Sequence, residues 1–274
     1  MRLALCSAIA VLTSLAITPI AEAAVLNGGF EDNLSGWEAI GDYRVESSNI
    51  GVKPAEGSSQ AFLSTAFNEV IGLDNQGNEI IGGNAASATF ISNLAEAESL
   101  EGFFATSTFF GEELLGGLAT AEPIEGSAIK QTFTANAGET VSFSWNLLTN
   151  ESTGQSAVND LTYPEFNDFA FALIQTESST EWFRLADTIS GFSASAVPSF
   201  DQQTGVQTFS YTVPSTGNYT LGIGVVDVGE PTRISGLLVD QVAAVPECNS
   251  ILGTISVLFL GAGWAATAKK RQQN

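Results

Sequence analysis

The 274-residue chain contains no histidine, and its only two cysteines stand at positions 6 and 248. These absences exclude whole classes of chemistry. Neither a Ser-His-Asp triad nor a Cys-His pair can be built, the usual zinc site is unavailable, and no disulfide can staple the stretch between the two cysteines. Basic residues are nearly as scarce: between positions 25 and 245, five Lys and Arg stand against 28 Asp and Glu. So acidic a surface is a poor partner for nucleic acid or anionic lipid and a good one for hard cations such as calcium. What chemistry remains is that of carboxylates, either a glycosidase-type pair or a metal held through oxygen. About 220 residues between the ends suffice for one unstapled hydrophobic core.

Most of that region alternates with period two and is punctuated by Gly, Asn, Pro and Ser, the pattern of short antiparallel strands. The clearest case is Glu139 to Thr149, where Val141, Phe143, Trp145 and Leu147 share one face and Ser142, Ser144 and Asn146 the other. Further strands are predicted at 43–47, 60–66, 128–134, 168–175, 182–186, 206–213, 219–226 and 234–242, with Pro214 to Asn218 as a hairpin turn. The fold expected is mainly β, a two-sheet antiparallel jelly-roll sandwich occupying residues 24–244. One segment departs from the alternation. From about 68 to 126 the chain is richer in Ala, Leu and Glu, and the spacing of Leu94, Ala97, Leu100 and Phe104 predicts a small helical insertion. Its helices fall near 94–104 and 111–118, and Phe103, Phe104, Phe109 and Phe110 fasten it to the sandwich.

Both ends read as sorting signals. Arg2, the apolar run Leu3 to Ile17 and the small residues Ala21-Glu22-Ala23 form a signal peptide over 1–23. Its roughly 15 apolar residues reach about 22 Å as a helix, short of a bilayer core of about 30 Å. At the other end, 251–268 is an uncharged run long enough for a short transmembrane helix, and Lys269, Lys270 and Arg271 follow it at once. Short motif, apolar helix and basic cluster together resemble the PEP-CTERM sorting signal of Gram-negative bacteria and cyanobacteria. Val245-Pro246-Glu247 matches the motif, and Cys248 replaces its second proline. The resemblance implies processing of residues 245–274 by an exosortase, hence transient anchoring in the inner membrane and final placement at the cell surface or in the extracellular matrix.

Two further motifs carry a resemblance. Asn27-Gly28-Gly29-Phe30-Glu31, followed by Ser35-Gly36-Trp37 and Glu56-Gly57-Ser58, with Leu237-Leu238-Val239-Asp240-Gln241-Val242 near the end, is similar to carbohydrate-binding modules of the galactose-binding-like class. That resemblance implies a structural Ca²⁺ held by Glu31 and Asp240 together with loop carbonyls near Gly57 or Ser58, and Trp37 as a core pin. The run Thr149-Asn150-Glu151, then Pro164-Glu165-Phe166-Asn167-Asp168-Phe169, resembles a motif of bacterial surface proteins with interchangeable anchors. There, Glu151, Asp160 and Asp168 form either a second cation site or a solvated acidic loop. Trp182 is the one tryptophan whose face the alternation leaves open, which makes it the candidate sugar platform.

No two carboxylates can be named as acid and base, so the sequence reads as noncatalytic rather than as a glycoside hydrolase or lyase. The function expected is an exported protein of the exopolysaccharide, sheath or biofilm, with polysaccharide or a matrix protein as partner and no nucleic acid. The competing reading is an adhesive scaffold whose ligand is another protein.

Overall fold

A computed structural model describes residues 25–73, 79–88, 99–106, 122–153, 167–229 and 232–245. The signal segment, the tail from Pro246 onward, Asp160 and the helix expected at 111–118 lie outside these. Among the described residues no helix is long and apolar enough to cross a membrane.

In chain order the strands are β1 (Glu38–Ile40), β2 (Asp42–Ser47), β3 (Ser59–Ser64), β4 (Phe67–Leu73), β5 (Glu79–Asn84) and β6 (Ala86–Ser87). After a single helical turn, α1 (Leu100–Phe103), come β7 (Pro123–Ala135), β8 (Thr140–Thr149), β9 (Phe169–Gln175) and β10 (Thr180–Asp187). The last five are β11 (Ser193–Ala194), β12 (Gln202–Gln203), β13 (Gln207–Thr212), β14 (Gly217–Val228) and β15 (Ser235–Val245). One sheet runs β1-β7-β14-β9-β10, with β6 also on β7. The other runs β11-β12-β8-β15-β3-β2, with β13 also on β8. A separate ribbon joins β4 and β5. Every strand pair is antiparallel.

The alternation that predicts the strands also builds the core. Ile129 and Phe133 of β7, Leu221, Ile223 and Val225 of β14, and Ala170 and Ala172 of β9 meet Phe143, Trp145 and Leu147 of β8, Leu237 and Val239 of β15, and Leu63 of β3. The two sheets therefore face each other across one apolar layer, the two-sheet sandwich expected. Burying a side chain of this size contributes roughly 1.5–3 kcal/mol.

The outer face of the β14 sheet is also apolar, and the "LGIGVV" stretch of β14 shows why. A Cβ on Gly222 would come within 2.4 Å of the Phe104 ring, and one on Gly224 within 2.5 Å of the Phe171 ring. Only glycine lets these aromatics approach the strand so closely. Phe104 meets Phe171 and Trp182 edge-on, with centroids 6.0 and 6.3 Å away, inside a cluster that also holds Leu100, Leu173 and Val226.

Two expectations need correction here. The segment from 68 onward begins as the β4–β5 ribbon rather than as helix, because Val70, Ile71, Ile80 and Ile81 supply β-branched residues that outweigh the local Ala and Glu content. The predicted helix over 94–104 is, in its described part, only the turn α1. Ser99 caps it by accepting from the Gly102 N–H at 3.1 Å, and Ala105 ends it at φ +51°. Lys130 holds that end, donating to the Phe103 carbonyl at 2.6 Å and lying 4.3 Å from the Phe103 ring. The role expected of Phe103 and Phe104, fastening the segment to the sheet, is what the structure shows. The second correction concerns Pro214 to Asn218. This turn joins β13 to β14, but β13 pairs with β8 and β14 with β7 and β9, so the turn crosses from one sheet to the other instead of closing a hairpin.

Phe104→Ala is expected to lower unfolding stability by about 3–5 kcal/mol, read as the urea midpoint, and to red-shift the emission of Trp182 in the native state.

Candidate functional site

The opening stretch of the described chain is tied down by side chains. Gln131 of β7 accepts from the Leu26 N–H at 2.6 Å and donates to its carbonyl at 2.9 Å, which is strand-like pairing supplied by an amide side chain. The Asn27 amide donates to the carbonyls of Asp32, Asn33 and Ser35 at 3.3, 2.8 and 3.1 Å and accepts from the Asp32 N–H at 3.1 Å, fixing the loop. Phe30 and Trp37 are buried with ring centroids 5.4 Å apart, so Trp37 is the core pin expected. Val242 of β15 donates to the Gly28 carbonyl at 3.0 Å, and a Cβ on Gly28 would lie 1.8 Å from the Val242 oxygen.

Glu31 and Asp240 converge on the same loop, residues 55–59, by separate routes. Glu31 accepts from the N–H groups of Ser58 and Ser59 at 2.6 and 2.8 Å and from the Ser58 hydroxyl at 2.7 Å. Gly57, at φ +55°, permits this, since a Cβ there would lie 2.2 Å from the carboxylate. Asp240 accepts from the Glu56 N–H at 2.9 Å and the Gln241 N–H at 2.7 Å. The loop thus turns the amides of Ser58 and Ser59 toward Glu31. Among the described residues no three acidic side chains are grouped as a cation site.

The two carboxyls are perturbed in opposite directions. The hydrogen bonds from Ser58 hold Glu31 below its ordinary value, whereas burial pushes Asp240 up despite its hydrogen bonds, with the nearby Glu56 charge adding to the rise.

Glu151 and Asp168 lie at one end of the inter-sheet space, and both are buried, at 3 % and 0 % exposure, so these two acids are not solvated; Asp160 lies outside the described residues. Asp168 accepts from the Val228 N–H at 3.0 Å and the Ser235 hydroxyl at 2.5 Å. Ser235 is 2.9 Å from the Thr149 hydroxyl, which accepts from the Glu151 N–H at 2.9 Å. A polar seam thereby crosses from β9 to β15 and β8, and Arg233 reaches its rim 3.7 Å from Glu151. Hydrogen bonds of this kind offset the cost of burying polar groups. Trp182, the expected sugar platform, is half-buried and packs against Phe104 and Phe171. Val245 closes β15, while Pro246 and Glu247 lie outside the described residues.

A more open feature lies on the outer face of the β15 sheet. A cleft of about 560 Å³ is floored by Phe62 and Ser64 of β3 and by Asp42 and Arg44 of edge strand β2, and walled by Phe200 and Ile234. The Arg44 guanidinium lies 4.1 Å from the Phe62 centroid, bonds Glu46 at 2.5 Å and stands 3.8 Å from Asp42. Asp42 in turn accepts from the Ser64 hydroxyl. Half of the Arg44 side chain remains exposed, so its other N–H donors face solvent beside two carboxylates and an apolar wall. Sequence reasoning passed over this group. Its one signal was the alternation Asp42-Tyr43-Arg44-Val45-Glu46, which sets three charges on one strand face. Phe200 sits in an irregular loop that no period reveals.

Replacing Glu31 by Gln removes a carboxylate whose native state favours the charged form. The parent's advantage should therefore be full above the ordinary glutamate range and shrink as the pH falls through the lowered value of the folded carboxyl. Thermal unfolding of both proteins from pH 3 to pH 7 reads this directly, and a constant difference across the range would contradict it.

No protein-family model matches this chain, and no curated protein matches it. Among solved structures, the chain is similar to TmCBM61 in complex with β-1,4-galactotriose over 83% of its own length and 100% of that chain, at 9% identity and a TM-score of 0.38. CBM28, a non-crystalline cellulose specific carbohydrate-binding module, is similar over 82% of this chain and 96% of that one, at 14% identity and a TM-score of 0.31. The enzymatically active domain of bacteriophage CBA120 tailspike protein 4 covers 81% of this chain with 21% of its own length, at 10% identity and a TM-score of 0.36. Identities and scores this low leave the functional reading to the geometry of the chain itself.

Proposed function

We propose that the chain is an exported, noncatalytic polysaccharide-binding protein of the cell surface or extracellular matrix, with a jelly-roll body. In this reading residues 251–268 anchor it in the inner membrane until an exosortase acts at the Val245-Pro246-Glu247 motif. One observation carries the binding proposal: the cleft in which Arg44 lies over Phe62 between Asp42 and Glu46. A sugar presents hydroxyls that both donate and accept, alongside an apolar C–H face. A half-exposed guanidinium beside carboxylates offers the complement to the hydroxyls, and the partly exposed Ile234 offers the apolar contact, over the buried rings of Phe62 and Phe200. The acidity of the chain directs the choice toward neutral rather than anionic glycans.

Arg44→Ala is expected to weaken retention on a bound neutral polysaccharide at least tenfold in affinity electrophoresis, while the unfolding midpoint stays near that of the parent. Retention unchanged by this substitution would remove the cleft from the proposal.

Calcium at Glu31 and Asp240 belongs to the same proposal. A carboxylate offers about four lone-pair sites. Glu31 commits three of them and Asp240 two to the bonds described above. A cation taking the remainder would also relieve the repulsion between Asp240 and Glu56. Calcium at about a hundred times its dissociation constant should stabilise the fold by about 2.7 kcal/mol, seen as a rise in melting temperature that EGTA reverses. A melting temperature indifferent to both would dispose of the calcium proposal and leave the cleft untouched.

A further inference from the structure

Described residues stand on three sides of the cleft. Two loops meet above the middle of the β15 sheet. The first, a 3₁₀ turn at Ser48–Ile50, ends at Gly51 with φ +113°. The second runs from β11 to β12. Their backbones touch, because a Cβ on Gly51 would lie 2.2 Å from the Ala196 carbonyl oxygen. Beneath this strap, Ile50 and Val52 from the first loop and Val197 and Phe200 from the second pack on Phe62, Leu148 and Leu238. Phe62 and Leu238 are direct neighbours across the β3–β15 ladder, so the strap crosses the centre of the sheet face rather than its margin.

The strap is also fastened at both loops. Asn150 donates to the Ser199 carbonyl at 3.1 Å and accepts from the Asp201 N–H at 2.9 Å, and Gln60 donates to the Val52 carbonyl at 2.8 Å. On its far side the face has a recess of about 10 Å³ among Val52, Gln60, Asn146, Leu238 and Asp240, room for about one water molecule. The cleft therefore stops at Ser199 and Phe200. Its opposite wall is the base of the β4–β5 ribbon, where Ala85 donates to the Ala66 carbonyl at 2.9 Å, and Ile234 closes a third side. Among the described residues the side past Arg44 stays open, where β2 forms the edge of the sheet.

We infer that this cleft receives the end of a glycan chain and not an internal stretch. A polymer threading through would have to part Gly51 from Ala196 and break the Asn150 bonds, whereas a terminal residue enters past Arg44 and stops at Phe200. The ligand class is thus a neutral polysaccharide recognised at its termini, an inference that rests on the carbohydrate reading of the cleft given above.

The test counts binding sites per mass of polymer. The full folded domain is titrated by calorimetry with β-1,4-galactan, β-glucan, mannan and xylan, each intact and after sonication to about one tenth of its length. A protein that reads ends gains sites in proportion to the number of ends, so about tenfold more sites per gram are expected from the fragments of any polymer that binds, at unchanged affinity per site. Arg44→Ala should weaken both forms equally. Binding whose site count per gram ignores fragmentation overturns terminal recognition and leaves the carbohydrate reading standing. Binding to none of the polymers or their fragments overturns the carbohydrate reading itself.

Discussion

The hydrogen bond from Val242 to the Gly28 carbonyl joins the first described loop to the last strand, and much of the structure depends on it. With no cysteine between positions 6 and 248, the two ends of the sandwich are held without a disulfide, by polar contacts and by the packing of Phe30 and Trp37 into the core that Val242 shares. Gly28 is needed because any side chain there would collide with β15. Once that contact forms, Glu31 and Asp240 lie where each can bind amides of the 55–59 loop, and the edge of the fold is sealed from both directions. The opposite tendencies of the two carboxyls follow from their settings. Glu31 lies in water and is rewarded for its charge by Ser58, while Asp240 is buried beside another acid.

The same economy appears at the other end of the inter-sheet space. There Asp168, Ser235 and Thr149 cross between the sheets where an apolar layer would otherwise continue. A polar seam is costly to bury and strict in its geometry, so it fixes how β9 of one sheet sits over β15 of the other more tightly than interchangeable aliphatic contacts do. The strands with this seam at one end and the clasp at the other form the rigid face on which the strap and cleft are mounted.

Much of this was legible in the sequence, and the divisions are physical. Strands with one wet and one dry face announce themselves by alternation, which is why β8, β13 and β14 fall within a residue or two of their predicted bounds. Alternation says nothing about which sheet a strand joins, so Pro214 to Asn218 was read as a hairpin when it is a crossing. The β4–β5 ribbon was hidden by a helical composition around it. Of the residues proposed for a site, Glu31 and Asp240 do come to one loop, because their motifs encode a backbone closure. Glu151 and Asp168 turned out to be buried, since burial of an acid depends on hydroxyl partners distant in sequence. The contact of Trp182 with Phe104 was not legible, because Phe104 comes from a segment nearly eighty residues earlier. The cleft escaped notice because its walls come from strands and loops that only the completed topology brings together.

The place of β15 also bears on the order in which the chain can be assembled. It lies between β8 and β3, yet it is the last strand of the described chain. A polypeptide emerging from its amino end therefore carries two strands that flank an empty lane, each with a row of unpaired amides and carbonyls, until residue 235 and its successors arrive. The Gly28 contact lies later still, at Val242. The sandwich is consequently not a body that grows strand by strand. It is an open half-structure until its final segment is laid in, and a chain halted at Asp227 would possess nearly every residue of the core and none of its closure.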